Sequence, residues 1–246
     1  MLCYVTKDGT VHTHWFENID DVMGDDSPRN QFSKQLCDNY LNDKVLLLDI
    51  GCGNGRFLYS LSEPRTVGLE LDVDALRIAK QNCPQSEFVL GSSLHLPFRN
   101  GSFDHASLLE VIEHVPKGTE SLLLSEINRV LKQNGNFTMS TPNNHPLSVI
   151  LDPAYFLKGH RHYDMKTLND LLLMHGFDIR KQTIKGGLGM LITMNMFYFF
   201  KHVLGRRPFG RIYNSFLSRS KKEYLMDYNG ISNCFFAAVK TRDKLS

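Results

Sequence analysis

Between residues 45 and 184 the chain alternates short apolar runs with amphipathic segments, the pattern of a parallel sheet built from βα units. Runs at 45–50, 66–71, 87–90, 103–109, 136–141 and 177–184, with a last one at 232–240, predict seven strands. Three consecutive leucines, Leu46 to Leu48, are what a strand covered on both faces requires. Asp72 is placed to cap a helix whose inner face carries Ala75, Leu76 and Ala79. Leu123, Ile127, Val130 and Leu131 fall at helical spacing, and Gly135 is the expected stop. Another helix is expected over 167–175, ended by Gly176 before the strand at Phe177. Residues 1–43 read as an N-terminal extension, with a turn at 24–28 and a helix at 30–41.

Composition narrows the class without naming a chemistry. At 246 residues, 42% hydrophobic and 22% charged, the chain suits one α/β domain with an elaboration. Five scattered cysteines (Cys3, Cys37, Cys52, Cys83, Cys234) contain no C-x-x-C pair. They suit a reducing compartment and argue against a disulfide scaffold or a zinc–cysteine site. The start of the chain has no signal-peptide pattern, so a cytoplasmic location is expected. One segment departs from the rest. Residues 185–230 carry eight Lys/Arg against two acids, a local net of +6 within a chain of net +2, and nine aromatics. Within it, residues 186–200 hold no charge over 15 positions. That is shorter than the ~20 residues of a membrane-spanning helix.

The chemistry concentrates where the leucine run ends. In Val45-Leu-Leu-Leu-Asp-Ile-Gly-Cys-Gly-Asn-Gly-Arg-Phe-Leu58, three glycines (Gly51, Gly53, Gly55) crowd a tight turn ahead of a helix starting at 56–61. A missing Cβ there lets backbone approach a ligand at the carboxyl edge of a parallel sheet. A dinucleotide site asks for G-x-G-x-x-G, but position 56 is Arg. Asp49, two residues before the first glycine, repels a pyrophosphate and attracts an ammonium group. Glu70 ends the second strand, 19 residues beyond Gly51, where a carboxylate accepts both ribose hydroxyls of a nucleoside. A cationic amino-acid nucleoside fits this pair, and S-adenosylmethionine (SAM) is the candidate.

Asp49-Ile-Gly-Cys-Gly-Asn-Gly55, Val67-Gly-Leu-Glu70, Gly91-Ser-Ser-Leu-His-Leu-Pro-Phe98, Phe103-Asp104, Glu110-Val-Ile-Glu-His-Val115 and Ser140-Thr-Pro-Asn143 follow one another at characteristic spacings. As an ordered set they resemble the class I SAM-dependent methyltransferases, and within them the group of ubiquinone-biosynthesis O-methyltransferases. The resemblance covers about 44–184 and 232–240. It implies a three-layer Rossmann-like α/β fold with a seven-stranded sheet of order 3-2-1-4-5-7-6, strand 7 antiparallel. It also implies Asp49, Gly51 and Gly53 around the methionine moiety, with Gly55 completing the turn, Glu70 on the ribose and Leu109 near the bound cofactor. The family usually has Gly-Asp-Ala ahead of Leu-Pro-Phe. Here Ser92 and Ser93 stand there, neutral and weaker partners for the adenine amino group. Binding is then expected to lean on apolar packing by Leu71 and Leu94.

Two motifs bear on the acceptor. Glu110-x-x-Glu113-His114 puts two carboxylates and an imidazole on one face if the segment is helical. Quinone O-methyltransferases and small-RNA 3′-end methyltransferases carry E-x-x-E-H with a metal, whereas many relatives carry the letters without one. Metal independence is the expectation, with Glu110, Glu113 and His114 the alternative, and His114 is also a candidate base. The small-RNA enzymes add a second metal-binding His near position 165, which here is Met. Gly159-His-Arg-His-Tyr-Asp164 offers His160 or His162 as bases that titrate near neutrality. Otherwise one His and Tyr163 tether the loop while Asp164 caps the next helix.

The expected domain therefore spans 44–241, with residues 185–230 inserted as a lid between strands 6 and 7, over the acceptor. The expected activity is O-methylation of a small or lipid-linked acceptor, with weak peripheral association of 186–222 with anionic membranes. An RNA methyltransferase stands as the alternative that a basic aromatic patch allows, nucleic acid being the less favoured partner. A SAM-binding regulatory protein without activity is the other.

Overall fold

The leucine run becomes the middle of a seven-stranded sheet in the computed structural model, which describes residues 4–5, 11–12, 27–38, 40–62, 65–205, 210–226 and 229–241. The strands are β1 (Leu46–Ile50), β2 (Arg65–Glu70), β3 (Glu87–Leu90), β4 (Phe103–Leu109), β5 (Leu131–Pro142), β6 (Phe177–Lys185) and β7 (Asn233–Lys240). Their order is 3-2-1-4-5-7-6, as expected, with β7 antiparallel to both neighbours. A two-residue pairing of Tyr4–Val5 with Val11–His12 stands apart from this sheet. Of the turn expected at 24–28, positions 24–26 lie outside the described residues.

Helices α1 (Pro28–Asp38), α2 (Arg56–Tyr59), α3 (Val73–Asn82), α4 (Glu120–Val130), α5 (Pro146–Ile150), α6 (Pro153–Lys158), α7 (Met165–Met174), α8 (Leu188–Val203) and α9 (Arg211–Leu225) surround the sheet. Alternation along β1 explains why both faces must be covered. Leu47 packs with Cys37 of α1, Phe57 and Leu58 of α2, and Cys83 at the end of α3. Leu48 and Ile50 join the larger core with Leu123, Leu124 and Ile127 of α4 and Leu168 and Leu172 of α7. Asp72 caps α3 by accepting from Asp74 N at 2.8 Å. Asp164 caps α7 by accepting from Thr167 N at 2.8 Å.

Gly135 does not stop α4. The helix ends at Val130, Leu131 is already extended, and the left-handed residue is Asn134 (φ 62°). Gly135 lies inside β5, where a Cβ would stand 2.8 Å from the Lys132 carbonyl oxygen. Its requirement is space, not a cap. The N-terminal helix begins at Pro28 and ends at Asp38, two residues earlier at its start than the apolar pattern indicates.

The connection between β6 and β7 is helical. α8 and α9 pack on each other and on α1, through Phe32, Leu36, Met190, Tyr224 and Phe235. The start of α8 borrows its cap from α9: Glu223 accepts from Gly187 N (2.9 Å), Gly189 N (2.8 Å) and Met190 N (2.9 Å). Four orphan N–H groups open every helix, and a carboxylate is the strongest acceptor for them. Gly189 makes room for it, since a Cβ there would meet Glu223 Oε1 at 2.8 Å. Among the described residues no helix is long and apolar enough to cross a membrane.

Glu223→Ala therefore strips three backbone donors of a buried, charged acceptor. The expected loss is about 2–3 kcal/mol of stability, measured by urea unfolding, with Glu223→Gln losing less. Equal stability of the alanine variant and the parent contradicts the cap.

Candidate active site

β1 ends at Ile50 and the chain turns through Gly51 (φ 72°), Gly53 (φ 55°) and Gly55 (φ 80°) into α2. Gly51 is dictated by space as well as φ: a Cβ would lie 2.5 Å from Val111 Cγ2. Gly55 serves packing instead. Its Cβ would meet Ala79 Cβ and Cys83 Sγ at 3.2 Å, and it does not line the cleft. The buried Asp49 carboxylate accepts from Ser107 Oγ at 2.7 Å. Burial pushes its pKa up to about 7 against that hydrogen bond, with the charge of Glu70 adding to the rise. Glu70, also buried, is held by three backbone donors: Gly53 N at 2.9 Å, Leu71 N at 2.7 Å and Asp72 N at 3.2 Å. Its carboxylate ties the tip of β2 to the glycine turn.

Two depressions meet along this carboxyl edge. One is floored by Glu70, Leu71, Ser92, Ser93 and Leu94. The other holds Asp49, Gly53 and Leu109 and opens toward α1 and α8. Gly51, Glu110 and His114 line both. Nine of the ten residues expected around the cofactor thus fall on one continuous groove, Gly55 being the exception. Ser92 is engaged locally, its Oγ accepting from Leu94 N at 3.2 Å.

The Glu110–His114 segment is a turn, not a helix, so the shared helical face does not exist. Glu110 has φ 58°, a left-handed conformation rare for glutamate. Its carboxylate accepts from Arg29 Nη1 (2.9 Å), Ser140 Oγ (2.7 Å) and Asn233 Nδ2 (3.0 and 3.2 Å). Those bonds occupy it structurally, and the side chains that converge as a metal set would are Glu113, His114 and His160, without Glu110 of the alternative set. Glu113 is different. Its Oε2 accepts from Thr141 Oγ1 at 3.0 Å, while its buried Oε1 has no hydrogen-bond partner. Burial, reinforced by the neighbouring Glu110, holds its pKa well above the usual carboxylate range.

The 159–164 loop delivers the missing partners. Arg161 staples it to the turn, donating to the carbonyls of Ile112 (2.7 Å), Glu113 (3.3 Å) and Val115 and pairing with Glu120. Tyr163 Oη also reaches Glu120, at 3.0 Å. His160 Nε2 then faces His114 Nε2 at 3.1 Å, and each lies 3.8 Å from Glu113 Oε1. Behind His160 stands Asp152, buried at the start of α6. Its Oδ2 is 2.8 Å from His160 Nδ1 and 2.9 Å from His162 Nε2.

Donor logic assigns the protons. His162 Nδ1 faces the Asn143 carbonyl at 3.0 Å, which can only accept. With Asp152 ionised, both His162 nitrogens carry hydrogen and the ring is an imidazolium. Burial opposes that charge, but the bonds to Asp152 and Asn143 outweigh it and hold the His162 pKa above the ordinary value. His162 thus spends both ring nitrogens on Asp152 and the Asn143 carbonyl. His160 donates from Nδ1 to Asp152, so its Nε2 is the lone-pair side, aimed at His114. Asp152 and Arg161 escaped the sequence reading. An Asp-Pro step ahead of a short helix reads as a cap, and an Arg between two histidines reads as surface charge.

Glu113 Oε1, His114 Nε2 and His160 Nε2 also converge as a carboxylate and two imidazoles would around a divalent cation. Ligands held at about 2.0–2.2 Å from such an ion stand roughly 3–3.5 Å apart, close to the 3.1 and 3.8 Å separations here. The unsatisfied Glu113 oxygen fits that role, and a cation would reverse the rise in its pKa.

The outer wall of this cleft is apolar and comes from α8, with Met190, Leu191, Met194, Phe197 and Tyr198. α1 supplies Arg29, Asn30 and Ser33. Nothing in the composition of residues 1–43 announced that contribution.

Comparison with known proteins agrees with this geometry. Residues 48–139 match the methyltransferase domain family. An uncharacterized protein of Methanocaldococcus jannaschii is 29% identical over 59% of this chain and 66% of its own length. Demethylmenaquinone methyltransferase of Oceanobacillus iheyensis is 26% identical over 78% of this chain and 95% of its own. The chain spans from about half to two thirds of the length of the first curated relatives that it matches. In structure it is similar to phosphoethanolamine N-methyltransferase 2 of Haemonchus contortus bound to SAM, with TM-score 0.63 and 19% identity over 87% of this chain and 52% of that one. Sheet order, glycine turn, buried Asp49 and Glu70 and the match of residues 48–139 to the methyltransferase domain family all accord with a Rossmann-like SAM-dependent methyltransferase domain.

Proposed function

We propose that the protein transfers the SAM methyl group to a hydroxyl oxygen of a small or lipid-linked acceptor held between the histidine pair and α8. The observation that carries this reading is the His160–Asp152 pair on the lining of the cleft, whose Nε2 side meets His114 Nε2 at 3.1 Å. In the transfer the acceptor oxygen forms a bond to the methyl carbon as the carbon–sulfur bond breaks. The sulfonium becomes a neutral thioether, and the acceptor proton passes to His160 Nε2. The sulfonium is already activated, so the protein supplies alignment, exclusion of water and a proton acceptor. Asp152 is the positioning residue, keeping the His160 lone pair toward His114 at the cleft and stabilising the imidazolium that forms.

The apolar wall on α8 supports an acceptor with an apolar body, and two relatives are named as demethylmenaquinone methyltransferases. We assign Asp49, Gly51, Gly53 and Leu109 to the methionine end of SAM, and Glu70, Leu71, Ser92, Ser93 and Leu94 to its nucleoside. Gly55 acts by packing the turn. The domain is taken as 44–241, with 185–230 as its lid and the chain peripheral at anionic membranes. The unsatisfied Glu113 oxygen favours one second reading, in which Glu113, His114 and His160 hold a divalent cation that polarises the acceptor oxygen.

An ionised Asp49 offsets the positive charge of SAM, and protonation removes that help. SAM affinity is therefore expected to weaken as pH falls below about 7, by up to about tenfold per pH unit. Calorimetry on parent and Asp49→Asn checks this, the variant being weak and flat across the same range. A parent that shows no pH dependence contradicts the assignment.

Asp152→Asn is expected to lower kcat by about 100-fold with SAM affinity nearly unchanged, because Asp49 and Glu70 lie on β1 and β2 and Asp152 between α5 and α6. Steady-state kinetics with calorimetry separates the two effects, and an unchanged kcat removes the His160–Asp152 pair from the reaction.

Chelator dialysis decides between base and cation. Full activity afterwards is expected. Loss restored by magnesium or zinc replaces the base reading with the metal one.

A further inference from the structure

We propose that α6 and the far end of α8 form one face that docks on an anionic lipid bilayer, with the acceptor cleft opening beside it. The inference deepens the lipid-linked acceptor reading by naming the surface. α8 changes character along its length. Met190 and Leu191 are buried in the wall of the cleft, whereas Phe199 is 52% and Val203 65% exposed. Asn195 Nδ2 donates to the Leu151 carbonyl at 2.6 Å and so fastens the middle of α8 to the end of α5. Phe199 and Val203 follow Asn195 at four-residue intervals, on the same helical face. They therefore continue outward from the α5–α6 junction.

At that junction Ile150 is 63% and Phe156 67% exposed. Tyr155 packs its ring edge-on against Phe156 at 5.2 Å and against His162 at 5.6 Å. One aromatic step thus links the exposed face to the histidine cluster. Half-exposed aromatics on two neighbouring helices are a large apolar investment for a surface that meets only water.

Charge selects the occupant. From residue 186 to 222 the chain carries seven Lys/Arg and no Asp or Glu. Lys201 falls between Phe199 and Val203 in sequence, and Arg211, Arg219, Lys221 and Lys222 follow on α9. A one-signed basic segment beside exposed aromatics matches the acidic headgroups and acyl boundary of an anionic membrane. The face also sits where an acceptor with an apolar tail would leave the bilayer for the cleft.

The test uses the full chain with vesicles of phosphatidylcholine alone or mixed with phosphatidylglycerol, at low and high salt. Co-sedimentation with the mixed vesicles at low salt is expected, weakened by about tenfold at high salt and on neutral vesicles. The double variant Phe156→Ser/Phe199→Ser is expected to lose that binding while keeping SAM affinity and methyl transfer to a soluble acceptor. Absence of binding to the mixed vesicles at low salt overturns the proposal, as does undiminished binding of the double variant. A dimer in light scattering that the double variant dissolves also overturns it, making the face a contact between copies. Vesicle binding without any methyl transfer leaves this face standing and fails the acceptor reading.

Discussion

Buried carboxylates at one edge of the sheet are the constraint around which the rest of the molecule is arranged. Asp49, Glu70, Glu110, Glu113 and Asp152 converge at the carboxyl ends of the strands. Removing a charge from water costs several kcal/mol unless partners replace the lost hydration. Each carboxylate finds a different remedy. Glu70 takes backbone N–H groups, Asp49 a serine hydroxyl, Asp152 two imidazoles and Glu110 an arginine with two neutral donors. Glu113 alone among these has a fully buried oxygen, Oε1, without a hydrogen-bond partner.

Those remedies explain why the elements outside the central sheet are integral to it. Arg29 reaches Glu110 from α1. Asn233, which also serves Glu110, is itself held by Tyr224 of α9 at 3.0 Å. Glu223 of α9 caps α8, whose inner face walls the cleft. The β6–β7 connection is thus coupled by hydrogen bonds to the same carboxylate as the N-terminal helix.

The histidines show how little local sequence says about role. His114, His160 and His162 are the same residue type within one cluster, and environment separates them. His162 lies between two acceptors that raise its pKa, His160 is oriented through one nitrogen, and His114 stands at the junction of the two depressions. Arg161 makes this possible by fixing the loop to the turn at three carbonyls.

The strand pattern, the glycine turn and the Asp49/Glu70 pair were legible in the sequence because each rests on short-range rules. Two-sided burial demands apolar runs, tight turns demand glycine, and a carboxylate at a strand end has one face to present. The strand order came only by resemblance, and the structure carries it. Misreadings arose where a local rule had a tertiary competitor. Gly135 looked like a cap and is a steric gap in β5, and Glu110 to His114 looked helical and is a turn pinned by Arg161. Asp152, Arg29 and Asn233 carried no signal, since their roles exist only once segments tens of residues apart have met. The sequence by itself thus determined the strands of the sheet and the glycine turn with its two carboxylates, whose residues lie within or beside single strands. The tertiary structure alone decided the histidine–carboxylate cluster, because hydrogen bonding between distant segments assigns its protons and charges.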